Sequence, residues 1–122
     1  MSSAAAQAYA RVANTTASPR DIEAKALLMA ANKLHAVMTN ADATFEQASE
    51  ALMFNRKLWS IFLSEAQRDE NPQPLEVRQK IANIGIFVLS HTAALQLSPQ
   101  RDHFKPLIEI NRNIAAGLDG RT

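Results

Sequence analysis

Three long stretches of this chain repeat apolar residues at steps of three and four, and each opens or closes at a proline or a capping side chain. That pattern constrains the fold most. A 3.6-residue period lines up one apolar face on a helix, whereas a strand needs strict alternation. The first stretch places Ile22, Ala26, Ala30, Leu34 and Val37 on one face. It begins at Ser18-Pro19-Arg20-Asp21, where Ser18 can cap and Pro19 occupies a position that needs no N–H donor. A helix from about 19 to 39 is expected, ending before Asn40. The second stretch, starting at Asp42 or Thr44 and stopping near Gln67, carries Phe45, Ala48, Leu52, Trp59 and Phe62 as its main stripe. Ala51, Phe54, Leu58 and Ile61 add an adjacent stripe. So wide an apolar arc marks a central helix.

The polar segment 68–74, with prolines at 72 and 74, breaks the pattern. A third helix is expected from Pro74 or Leu75 to Ser98-Pro99, with Leu75, Val77, Ile81, Ile84, Val88 and Leu95 inward. A loop through Arg101, Asp102 and His103 leads to a short helix from Pro106 to about Ala116, with Leu107, Ile110 and Ile114 inward and Gly117 as a left-handed terminating residue. Upstream, residues 1–17 are Ala-rich with only Tyr9 and Val12 as bulky apolar groups. They read as a short helix over roughly 4–13 that forms only when docked. The expected architecture is all-α: a four-helix bundle-like single domain over 18–122, plus a short extra N-terminal helix in a mobile or docked segment, 1–17. Short loops should pack successive helices antiparallel.

Charge narrows the partners. The net charge is +1, both halves are close to neutral, and the densest basic step is Arg56-Lys57. Nucleic-acid modules concentrate Lys and Arg into a patch, which is absent here. With no cysteine in 122 residues, disulfides and thiolate chemistry are excluded. No secretory signal pattern opens the chain, and its longest strongly apolar run, residues 84–89, is far short of the ~20 residues that cross a bilayer. A cytoplasmic protein without membrane insertion is expected.

Chemistry-bearing constellations are missing. His35, His91 and His103 show no metal-ligand spacing, and none forms the Glu-x-x-His pair of helical di-iron sites. Gly85, Gly117 and Gly120 form no phosphate-binding loop. Gly85 falls inside a helix, which suits either a hinge or the close approach of a neighbouring helix backbone. The chain is therefore expected to be no enzyme, with no metal and no cofactor.

The informative residues are polar ones at core-like spacing. Asn55 lies three residues after Leu52 and four before Trp59, and Arg56 borders the same stripe. Glu109 and Asn111 flank Ile110 on the last helix. Such residues either complete an internal network that sets helix register or face a ligand. The expectation is a cross-helix network of Arg56 with Glu109 or Asn111.

Several ordered blocks carry a resemblance. Asn55-Arg56-Lys57-Leu58-Trp59, Leu75-Glu76-Val77-Arg78, Ile84-Gly85-Ile86-Phe87-Val88, and Pro106-Leu107-Ile108-Glu109-Ile110-Asn111 through Gly117-Leu118 resemble the FlaF family of flagellar biosynthesis regulators. Ala6-Gln7-Ala8-Tyr9 and Ser18-Pro19-Arg20 resemble the opening of that family. The resemblance implies a cytoplasmic helical protein of flagellar systems that binds flagellin monomers as a secretion chaperone and modulates flagellin synthesis and export. Flagellin is the implied partner, with FlbT as a further candidate. A post-transcriptional regulator acting on flagellin mRNA, directly or with FlbT, is the alternative of a different class, and a generic helical adaptor is a third. The expected contact surface or polar cluster comprises Tyr9, Asn55, Arg56, Trp59, Glu109 and Asn111, with the segment around Tyr9 contributing to partner binding.

Overall fold

The computed structural model describes Ala4 and residues 18–118. Tyr9 and the rest of the expected N-terminal helix after Ala4 lie outside the described residues. Among the described residues four α-helices follow one another, α1 Pro19–Met38, α2 Phe45–Ala66, α3 Leu75–Leu97 and α4 Lys105–Leu118. A 3-10 turn, Arg101–Phe104, leads directly into α4. No strand occurs among the described residues. The chain is all-α, as its periodicity predicts.

The helix starts form where the capping residues are. The Ser18 hydroxyl accepts from the Asp21 N–H at 3.1 Å, with Pro19 at the first helical position. Thr44 and Gln47 make a reciprocal capping box: the Thr44 hydroxyl accepts from the Gln47 N–H at 3.1 Å, and the Gln47 side chain accepts from the Thr44 N–H at 2.8 Å. Each satisfies donors that a helix start leaves unpaired. The end of α2 is held from another helix. Arg78 donates from Nε to the Ala66 carbonyl at 2.9 Å and from Nη2 to the Arg68 carbonyl at 2.7 Å. A cation at a helix C-terminus also opposes the negative end of its dipole.

α2 is central, as its two apolar stripes predict: Leu52, Leu58 and Trp59 have no solvent exposure. α1 packs most closely on α4, with Ala24, Ala26, Ala30 and Ala31 buried, and α3 packs most closely on α2. Small alanines let the backbones approach. Successive packing therefore holds for the first three helices but fails for the last. α4 returns to α1 instead of lying along α3. The turn before it explains the crossing: Phe104 is fully buried, Arg101 donates to the Ala41 carbonyl at 3.0 Å, and the His103 carbonyl meets His91 Nε2 of α3 at 2.9 Å.

Four expectations change with that arrangement. Phe45 is 63% exposed and Leu75 62%, so neither end of its stripe reaches the core. On α3 only Gly85, Val88, Thr92 and Leu95 are buried, leaving Ile81 and Ile84 half-covered. On α4 the buried face is Leu107, Ile108, Asn111 and Ala115, while Ile110 and Ile114 are half-exposed. Gly117 does not terminate α4 in a left-handed conformation but continues the helix to Leu118.

Gly85 faces side chains, not backbone. A Cβ built on it would lie 3.6 Å from Leu63 Cβ and 3.6 Å from Trp59 Cε3, which is ordinary van der Waals contact.

Candidate functional site

The polar residues on the core stripes join three helices in one hydrogen-bonded chain. Trp59 Nε1–H of α2 donates to Asn111 Oδ1 of α4 at 2.8 Å. Asn111 Nδ2 donates back to Asn55 Oδ1 of α2 at 2.7 Å. Asn55 Nδ2 donates to the Thr92 hydroxyl of α3 at 3.5 Å, and that hydroxyl donates to the Val88 carbonyl at 2.6 Å. Asn55, Trp59, Thr92 and Asn111 are all at 0% exposure. Among the described residues no buried side-chain nitrogen or oxygen lacks a partner. The network is internal and complete, so it has no group left over for a ligand. It holds α2, α3 and α4 in register, because a slip of any one helix would strand a buried amide or indole N–H.

Two expected members are elsewhere. Arg56 is exposed and its side chain has no hydrogen bond or ion pair among the described residues; its backbone carbonyl accepts from the Ser60 hydroxyl at 2.8 Å. Glu109 is exposed beside Lys105, 4.0 Å away. The expected pairing of Arg56 with Glu109 or Asn111 is therefore wrong, for a geometric reason. One residue turns a helix by about 100°, which carries Arg56 from the buried edge where Asn55 sits into solvent, where a guanidinium needs no partner. Thr92 was not anticipated, although its spacing from Val88 and Leu95 places it on the α3 stripe.

One feature open to a partner is the gap between α3 and α4. Ile84 and Phe87 of α3 and Ile110 and Ile114 of α4 line a groove of about 410 Å³. Phe87 is 50% exposed there and stacks on His91 with ring centroids 5.5 Å apart. The groove shares Asn113 and Ile114 with a recess of about 290 Å³ at the end of the bundle, lined by Leu27, Trp59, Phe62, Val77, Ile81 and Leu118 among others. Val77, Ile81, Ile84 and Phe87 are thus consecutive steps of three and four along α3. Val77 and Ile81 line the recess and Ile84 and Phe87 the groove, with Ile84 also packed against the core.

Charge is confined to the rim of the recess, where Arg20, Glu23, Glu65 and Arg78 stand. Glu65 pairs with Arg68 at 3.1 Å. The Glu23 carboxyl is half-buried and raised above its usual 4.5, first by burial and then by Glu65, with Arg20 opposing.

The sequence profile described as "Flagellar protein FlaF" matches residues 5–118, nearly the whole chain. The chain belongs to the FlaF family of flagellar proteins. Among curated proteins and among solved structures nothing matches it. The match spans all four helices, so the buried Asn55–Trp59–Asn111 network and both walls of the α3–α4 groove lie within the FlaF-homologous region. No described helix is long and apolar enough to cross a membrane.

Proposed function

We propose that this FlaF-family chain binds flagellin monomers as a cytoplasmic secretion chaperone, and through that binding modulates flagellin synthesis and export. An amphipathic flagellin helix lies in the groove between α3 and α4. The observation that carries this reading is the unclosed gap between these two helices, with Ile84, Phe87, Ile110 and Ile114 facing it. From Val77 in the recess to Phe87 in the groove α3 rises about 15 Å, enough for partner residues at i, i+3 or i+4 and i+7 to seat in turn along the two together. Binding energy then comes from removing apolar surface from water, which needs neither nucleotide nor metal.

Titration of monomeric flagellin into the full chain at low and moderate salt tests this. Micromolar affinity that changes little with salt is expected, because apolar burial is not screened. The Phe87→Ser substitution should weaken binding at least tenfold, while Leu97→Ser, 88% exposed and outside the groove, should leave it intact. Removing residues 1–17 should leave the bundle folded and weaken binding. No flagellin binding at micromolar concentration defeats the proposal. Steeply salt-dependent binding of the flagellin message in its place would establish the RNA class, since displaced counterions give that slope.

A further inference from the structure

We propose that the recess at the end of the groove selects a helix with a lysine or arginine beside its apolar anchor, and that the Glu23 carboxylate recognises that cation. This rests on the reading that the groove holds a helix, and it adds the charge that the helix must carry.

Two of the other charged groups that line this recess, Arg78 and Glu65, are engaged, while Arg20 stands near Glu23 and opposes the raising of its carboxyl. Arg78 commits Nε and Nη2 to the carbonyls of Ala66 and Arg68. Glu65 holds Arg68. Arg20, one turn before Glu23, is exposed, and no ion pair within 4.0 Å joins the two. Glu23 itself, half-buried on α1, has no ion pair or side-chain hydrogen bond among the described residues. It stands beside Leu27, Phe62, Val77, Ile114 and Leu118 in a space of about 290 Å³.

Among the described residues only the charge of Arg20 offsets the burial of this carboxylate, and a net cost in stability remains in the free protein. The raising of its carboxyl by burial is the same cost seen as a protonation preference. A cation arriving on a ligand offsets it. Lysine and arginine suit the site further, because their aliphatic stems can lie along the apolar wall while the charged head reaches the carboxylate. A glutamate or aspartate there would meet Glu23 and Glu65, opposed only by the exposed Arg20 and by Arg78, which is already bound to two carbonyls. Because the recess and the groove share Asn113 and Ile114, the cation belongs to the helix seated in the groove, within one or two turns of its apolar anchors.

Two synthetic amphipathic peptides test this against the full-length protein by fluorescence anisotropy. They carry the same leucines at i, i+3 and i+7 and differ only in arginine or glutamate one turn beyond the last. The arginine peptide should bind at least about fivefold tighter, the scale of one partly desolvated ion pair. Glu23→Gln should abolish the preference, and Glu23→Lys should reverse it. Circular dichroism melts of both variants confirm that they are folded. Equal affinity for the two peptides, tighter binding of the glutamate peptide, failure of both to bind, or a preference that survives Glu23→Gln overturns the inference. Flagellin binding measured alongside separates the two proposals. Flagellin bound without any charge preference among the peptides defeats only this one, and charge preference without flagellin binding defeats only the flagellin assignment.

Discussion

Asn111→Ala is the sharpest test of what holds the bundle in register. The substitution removes the acceptor of the Trp59 indole N–H, 2.8 Å away, and the donor to Asn55 Oδ1, 2.7 Å away. Both stranded groups are at 0% exposure, so water cannot replace the lost partner without opening the core. Each orphaned group costs about 1–3 kcal/mol, and the pair about 2–6 kcal/mol. In a domain of 122 residues each kcal/mol lowers Tm by about 4 °C, where the scalings for smaller and larger domains meet. A drop on the order of 8–24 °C follows from the same scaling. Urea denaturation measures it directly, and Trp59, the chain's single tryptophan, reports both the transition and the loss of its indole hydrogen bond. Asn55→Ala in the Asn111→Ala background should cost less than it does alone, with a coupling of about 1–2 kcal/mol, because one orphan disappears with its partner. A cost below about 1 kcal/mol for Asn111→Ala, or an equal cost for the exposed Arg56→Ala, would refute the reasoning.

Other substitutions follow from single contacts. Gly85→Ala should stabilise by about 0.5–1 kcal/mol, since its Cβ meets only ordinary contacts and a helix-interior glycine is removed; a lower urea midpoint would contradict this. Arg78→Ala should cost about 1–2 kcal/mol by freeing the Ala66 and Arg68 carbonyls, and Arg78→Lys should recover only part, because an ammonium lacks the planar fork that reaches both; full recovery by lysine would contradict the geometry. Glu23→Gln should raise stability at neutral pH. A carboxyl raised in the native state holds its proton more tightly there than in the unfolded chain, so its ionisation opposes folding. The advantage of the variant should fade as pH falls through the raised native value and vanish below the usual 4.5, as seen in paired urea titrations.

Most of the fold is written in local chemistry. Ser18-Pro19 and the Thr44–Gln47 pair start helices by supplying missing partners to backbone N–H groups, and such signals act over three residues wherever the rest of the chain lies. Asn55 and Asn111 were legible as polar residues on or beside apolar stripes that must find partners, but spacing alone pairs Arg56 with Glu109 or Asn111 and takes Trp59 as a core anchor. Which partner was not legible: Asn55 and Arg56 are adjacent, and only the orientation of α2 decides which one turns inward. Periodicity also names an apolar stripe without saying whether anything covers it. Ile84, Ile110 and Ile114 have core spacing, yet they are only half-covered and line an open groove, with Val77 and Ile81 in the recess beside it, because Phe104 and Arg101 carry α4 across to α1. That long-range placement created the candidate site and could not be read from spacing alone. Thr92 escaped notice because a helical threonine usually satisfies its hydroxyl on its own helix, as this one does at Val88.

The central claim is that the gap between α3 and α4 holds a flagellin helix, and site-specific photo-crosslinking tests it most directly. The chain has no cysteine, so one introduced thiol carries a benzophenone at a single place. Phe87→Cys puts it on the groove wall, and Gln79→Cys puts it at an exposed position of the same helix that lines neither the groove nor the recess. Irradiation with monomeric flagellin should crosslink strongly from position 87 and only at background from position 79. Equal yields from both positions, or none from position 87 while flagellin remains bound, would contradict the account.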